Sequence, residues 1–118
     1  MPNYTDLSRD AIEVILRNNK RFDSKAKFDG ISWQVIYNNG FGISIVKFFA
    51  SYGGTDDLWE LAVIEDDDKG GYNLTENTPI TDEVIGYLTE QEVIDYSEKV
   101  RLLEGRSKVI RFSSNSKG

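Results

Sequence analysis

The feature that most restricts this chain is a period-two alternation running from residue 31 to residue 47. Ile31, Trp33, Val35 and Tyr37 alternate with Ser32, Gln34, Ile36 and Asn38, and Phe41, Ile43, Ile45 and Lys47 keep the period beyond Asn39-Gly40. Such a pattern describes two strands that each bury one face. The loop length follows from the faces. A two-residue Asn39-Gly40 turn would set Val35 against Ser44 and Trp33 against Val46, mixing apolar with polar positions. A three-residue loop, Asn38-Asn39-Gly40, sets Tyr37 against Phe41, Val35 against Ile43 and Trp33 against Ile45. It keeps one face apolar and lets Gly40 supply the left-handed residue of a bulge.

The flanking segments extend this hairpin into an α+β domain. Leu7, Ala11, Ile12, Ile15 and Leu16 recur at helical spacing, with Thr5, Asp6 and Ser8 as N-cap oxygens and Asn18-Asn19-Lys20 as a stop. After the polar loop 51–57, Trp59, Leu61 and Val63 alternate with Glu60 and Ala62, which predicts a third strand. It runs into a Glu65–Gly71 turn, and Tyr72–Thr75 returns as a short fourth strand. Thr81 then caps a short helix through about Leu88. Thr89-Glu90-Gln91-Glu92 fits a capping box, and the helix behind it carries Val93, Tyr96, Ser97, Val100 and Leu103 on one face, with Gly105 as its C-terminal cap. The expectation is a three- to four-stranded antiparallel meander covered on one face by N- and C-terminal helices, in the order α-β-β-β-(β)-α-α. Trp33 and Trp59 belong to its core. Residues 1–112 form one domain, with 113–118 a disordered tail.

Composition removes several chemistries. Among 118 residues there is no cysteine and no histidine. Disulfide frameworks, thiolate nucleophiles, Ser-His and Cys-His catalysis and nearly every zinc site are therefore excluded. The expected protein is not an enzyme and uses no cofactor. Residues 1–6 lack the basic start and apolar stretch of a signal peptide, which predicts a cytoplasmic protein.

The net charge of −6 is unevenly laid out. Residues 51–104 hold three Lys/Arg against fifteen Asp/Glu, a balance of −12, while residues 105–118 hold four Lys/Arg and no acid. The middle segment repels nucleic-acid backbone and favours basic partners. Its candidate contact residues are Asp56, Asp57, Glu60, Asp66, Asp67 and Asp68, with Tyr52 as an aromatic anchor. The acids are expected as a band along one sheet edge, with Asp56/Asp57 and Asp66–Asp68 at opposite ends of the third strand.

Two other features invite sharper readings. Gly53-Gly54, beside Ser51 and Thr55, has the makings of a phosphate cradle with Lys47 as the nearest base. No Walker lysine or helix follows, however, and Asp56-Asp57 opposes an anion. Glu65-Asp66-Asp67-Asp68 offers oxygen ligands to a divalent cation, but without EF-hand spacing, so a solvated acidic turn is the plainer reading. Phe48, Phe49 and Tyr52 cluster where the hairpin ends. If strand continues there, Phe48 and Phe49 point to opposite faces and one is exposed, as at a protein interface; a local satellite core under the loop is the equally weighted alternative.

Asp6–Ile12, Ser51–Gly54, Leu58–Val63 and Thr78–Leu88, in this order, resemble a family of short proteins of tailed bacteriophages and prophages. The likeness spans about residues 4–104. What it implies is a phage-encoded, non-enzymatic binding protein that inhibits a host or defence nucleic-acid-binding protein, of anti-CRISPR or anti-restriction type, in the host cytoplasm. The alternative is a protein that sequesters a small molecule or nucleotide at the Gly53-Gly54 loop.

Overall fold

The hairpin adopts the three-residue register. In the computed structural model, which describes residues 4–75 and 84–104, Trp33 faces Ile45 and Val35 faces Ile43. Gly40 sits at φ 92°, in the left-handed region that the loop demands. These strands, β2 (Gly30–Tyr37) and β3 (Phe41–Lys47), lie inside a larger antiparallel sheet. It adds β1 (Asn19–Lys27), β4 (Trp59–Asp66), β5 (Tyr72–Leu74) and β6 (Ile85–Leu88). The order is β1-β2-β3-β4-β5, with β6 pairing the other half of β4. Two α-helices, α1 (Arg9–Ile15) and α2 (Glu90–Arg101), and a short 3-10 turn at Gly54–Asp56 complete the described elements.

One sheet face carries the core. Trp33, Val35, Ile43, Ile45, Trp59, Leu61 and Val63 are buried there with Leu7, Ala11 and Ile15 of the N-terminal segment and Val93 and Val100 of α2. Both helices use the faces expected of them. Ser8 Oγ accepts the Ala11 N–H at the start of α1, and Thr89 with Glu92 forms the reciprocal capping box of α2. The two helix starts are tied together, since Ser8 N and Oγ donate to the Glu90 carboxylate at 2.7 and 2.9 Å. At the far end the β2–β3 loop closes α2. Asn39 Nδ2 lies within hydrogen-bond distance of the carbonyls of Val100, Arg101 and Leu103. The proposed Gly105 cap, the basic residues after it and the 113–118 tail lie outside the described residues.

The sheet departs from expectation at two places. Residues 85–88 are a strand, not the end of a helix, while 81–83 lie outside the described residues. Leu88 pairs with Trp59 and Ile85 with Leu61, so the segment closes the half of the β4 edge that β5 leaves open. Its composition suits that role. Tyr87 sits at φ 60°, outside the right-handed helical region. A Cβ on Gly86 would collide with Tyr52 Cβ. The second departure is β1, in which the sequence marks only Asn19 and Lys20, as the stop of α1, and no element beyond them. Almost all of it is exposed, so it never shows the alternation by which strands are recognised.

Candidate functional site

Two connections meet at one end of the sheet, the β1–β2 turn and the loop from β3 to β4. The loop is built on Ser51, whose Oγ accepts the Phe48 N–H at 3.0 Å and donates to the Phe48 carbonyl at 2.9 Å. It is tied to the turn by the Phe49 N–H, which donates to Asp29 Oδ1 at 3.1 Å. These bonds gather three phenylalanines. Phe28 and Phe48 stack at 5.3 Å, and Phe49 meets both edge-on at 6.2 and 5.7 Å. Lys27 Nζ lies 5.9 Å from the Phe28 ring and 5.6 Å from that of Phe48, within cation–π range.

This cluster is not an inward satellite core. Phe28 is 78% exposed, Phe49 58%, and Tyr52 and Tyr87 62% and 61%. Tyr87 N donates to the Tyr52 carbonyl at 3.1 Å, which carries the aromatic surface onto β6. Phe28 also stands at φ 53°. A bulky residue in the left-handed region costs about 1–2 kcal/mol, offset here only by the ring contacts with Phe48 and Phe49. The positive φ is what a two-residue turn closed by the Lys27–Gly30 pair asks of its first central residue, and the turn holds the Phe28 ring out in solvent.

The acidic candidates divide into groups with different fates. At the aromatic end, Asp56 is exposed at its rim. Asp57 Oδ1 accepts the Thr5 N–H at 2.9 Å and pairs with Lys47 Nζ at 3.2 Å. Burial alone would raise the Asp57 carboxyl, but the Thr5 and Lys47 hydrogen bonds together hold it below its usual range. Glu60 Oε1 accepts the Tyr52 N–H at 2.8 Å and so positions the loop. At the other end of β4, Asp66 is only 4% exposed. Its carboxylate receives Lys20 and Arg21, each at 2.7 Å, and the Asp68 N–H at 3.0 Å. Hydrogen bonds from Lys20 and Arg21 drive its pKa far below the ordinary carboxylate range against the cost of burial. Asp67 Oδ1 accepts the N–H groups of Lys69 and Gly71, which hold its carboxyl low as well.

The acids therefore sit at the two ends of β4, as expected, but they do not make one free array. Asp66 is spent inside the fold, and Asp57, Glu60 and Asp67 hold backbone. Among the described residues no three acidic side chains converge in a way that holds a metal ion.

The glycine loop is likewise used up by packing. A Cβ on Gly54 would collide with the Phe48 carbonyl, and one on Gly53 would come within 2.7 Å of Tyr87 Cα. Lys47, the base nearest that loop, is 3% exposed. It points to the Thr5 carbonyl at 2.8 Å and lies 4.4 Å from the Trp59 ring. A cavity of about 170 Å³ opens on the outer sheet face beside Arg21, Gln34, Ile36 and Tyr72. Arg21 there already donates to Asp66 and to the Gly70 and Gly71 carbonyls.

Tyr52, Phe48 and Phe49 were visible in the sequence as a cluster. Phe28, Lys27, Asp29 and Tyr87 were not. A signal for Phe28 existed in Phe28-Asp29-Gly30, a turn immediately before the first alternating residue. No family model matches the chain, and no curated protein or solved structure shows a significant match to it. Among the described residues no helix is long and apolar enough to cross a membrane.

Proposed function

We propose that this chain is a non-enzymatic binding protein that docks on a partner protein through its aromatic end. Phe28, Phe49 and Tyr52 are the anchors, with Asp29, Asp56 and Glu60 around them. The observation that carries the reading is Phe28, strained at φ 53° and yet 78% exposed. Exposed aromatics inside a polar rim have the composition of a protein interface, in which a few large anchors supply most of the affinity. The rim acids favour a partner whose own rim is basic, and basic surfaces are those that hold nucleic-acid phosphates. The resemblance to phage proteins extends the reading to inhibition of a host or defence nucleic-acid-binding protein in the host cytoplasm.

The acidic array first expected to carry this role contributes less than its charge suggests. Asp66 faces its own Lys20 and Arg21, so it offers nothing to a partner's cations. Asp56 and Glu60 remain as contacts beside the aromatics, and Asp67 and Asp68 lie at the opposite end of β4.

The test compares the wild type with Phe28→Gly and Phe49→Ala in affinity capture from a bacterial lysate, with and without competing DNA. A basic, nucleic-acid-binding protein should be recovered by the wild type, released by DNA, and reduced at least tenfold by either substitution. Phe28→Gly should leave thermal stability unchanged or raised, within about 1 kcal/mol, because relief at φ 53° offsets the added freedom of glycine. Equal recovery by the wild type and both variants would remove the aromatic end as the contact surface.

A further inference from the structure

The sheet ends on β1, and among the described residues no strand pairs with its outer side. A free edge of nine residues exposes unpaired backbone N–H and C=O groups and is a template for another strand. The β1–β2 turn closes on the Lys27–Gly30 pair. Hydrogen-bonded and non-bonded pairs alternate along an antiparallel ladder, so the groups directed away from β2 belong to Ala26, Ser24 and Phe22.

The two faces of the edge differ in chemistry. Phe22, Ser24 and Ala26 share the face of Trp33, and the Phe22 ring stacks on Trp33 at 6.1 Å while remaining 51% exposed. Two of these side chains are small and leave the backbone open to approach. The opposite face carries Arg21, Asp23, Lys25 and Lys27, three cations and one acid in a chain of net charge −6. Lys25 and Asp23 form a loose pair at 3.6 Å, and the side chain of Lys25 is 65% exposed.

We propose that β1 is a strand-addition site for an extended segment of a partner protein in which acidic and apolar residues alternate. Residues directly opposite each other in a ladder share a face. The incoming acids then meet Lys25 and Lys27, since Arg21 is held by Asp66, while the incoming apolar residues cover Phe22, Ser24 and Ala26. Main-chain bonds supply the affinity and the two faces supply the choice of segment. A second copy of the chain is the competing occupant that the concentration arm of the test separates. Pairing centred on Asp23 opposes the two Asp23 side chains and sets Arg21 against Lys25, while pairing centred on Ser24 sets Arg21 against Lys27 but Asp23 against Lys25. The site adjoins the aromatic end at Lys27, whose ammonium lies over the Phe28 and Phe48 rings, but stands independently of the function proposed there.

The test is amide hydrogen exchange on the full chain, isotopically labelled, with three synthetic peptides of about nine residues. One alternates Val and Glu, one alternates Val and Lys, and the third is the Val/Glu peptide N-methylated on alternate residues. The Val/Glu peptide should slow exchange at Phe22, Ser24 and Ala26 at least tenfold, and neither of the others should. Lys25→Glu, a change at an exposed side chain, should weaken that protection and favour the Val/Lys peptide. The proposal is overturned if the Val/Glu peptide gives no protection, or if either control peptide protects equally. It is also overturned if the three amides are already slow in the dilute free protein, or become slow merely on concentrating it, which would make the edge a self-pairing one.

Discussion

Lys47 and Asp66 are both charged and both almost fully buried, at opposite ends of the β3–β4 pair, yet they are held in different ways. Lys47 faces the helix-covered side of the sheet. It has one carboxylate, Asp57, whose side chain is 47% exposed, together with the Thr5 carbonyl and the Trp59 ring. Asp66 faces the other side and receives two full cations and a backbone N–H. A carboxylate with its several lone pairs can be satisfied by many donors at once, whereas an ammonium has three donors and finds part of its stabilisation over an aromatic face. Charge counted along a chain overstates the charge felt at its surface, because each of these buried groups cancels against a neighbour that is distant in sequence.

The sharpest way to break the comparison is to strip each buried charge of its partners. Replacing both Lys20 and Arg21 with Met leaves Asp66 buried and without either cation. The expected loss is about 3–5 kcal/mol of unfolding free energy, measured by urea denaturation at neutral pH. A loss below about 1 kcal/mol would show that water reaches Asp66 and that its burial is not maintained.

The same operation at the other end should cost less. Asp57→Ala leaves Lys47 with the Thr5 carbonyl and the Trp59 ring, and the expected loss is about 1–3 kcal/mol in the same assay. Lys47→Met removes the buried charge itself and leaves Asp57 where water can hydrate it. Its effect should stay within about 1 kcal/mol of the wild type, in either direction. If Lys47→Met proves the more damaging of the two, the ammonium is a net source of stability and not a tolerated burial.

A further difference is read by pH. The Asp66 carboxyl has a lowered pKa in the folded state, so it binds a proton less readily there than in the unfolded chain. Its contribution is therefore complete above the ordinary carboxylate range and is lost as pH falls through and below that range. Stability measured between pH 5 and pH 2 should decline more steeply in the wild type than in Asp66→Asn. Parallel curves for the two proteins would mean that other carboxylates carry the acid sensitivity.

What the chain's own order determined is everything that rests on a local period or a local cap. The alternation of 31–47, with its three-residue loop, set the hairpin register because any other pairing mixes faces. The apolar stripe of α1, the capping box at Thr89 and the inward line of Trp59, Leu61 and Val63 followed in the same way, since each pattern is written within a few residues. β1 escaped because an edge strand has no buried face to write, and residues 85–88 were misassigned because four residues do not span one clear period. Phe28 was missed because a turn aromatic looks like any other until its neighbours are known. Only the tertiary structure decided which charges are free. Whether an acid projects into solvent, as Asp56 does, or disappears against Lys20 and Arg21, as Asp66 does, depends on Coulomb attraction between groups 46 and 45 positions apart. The fold alone brings such groups together.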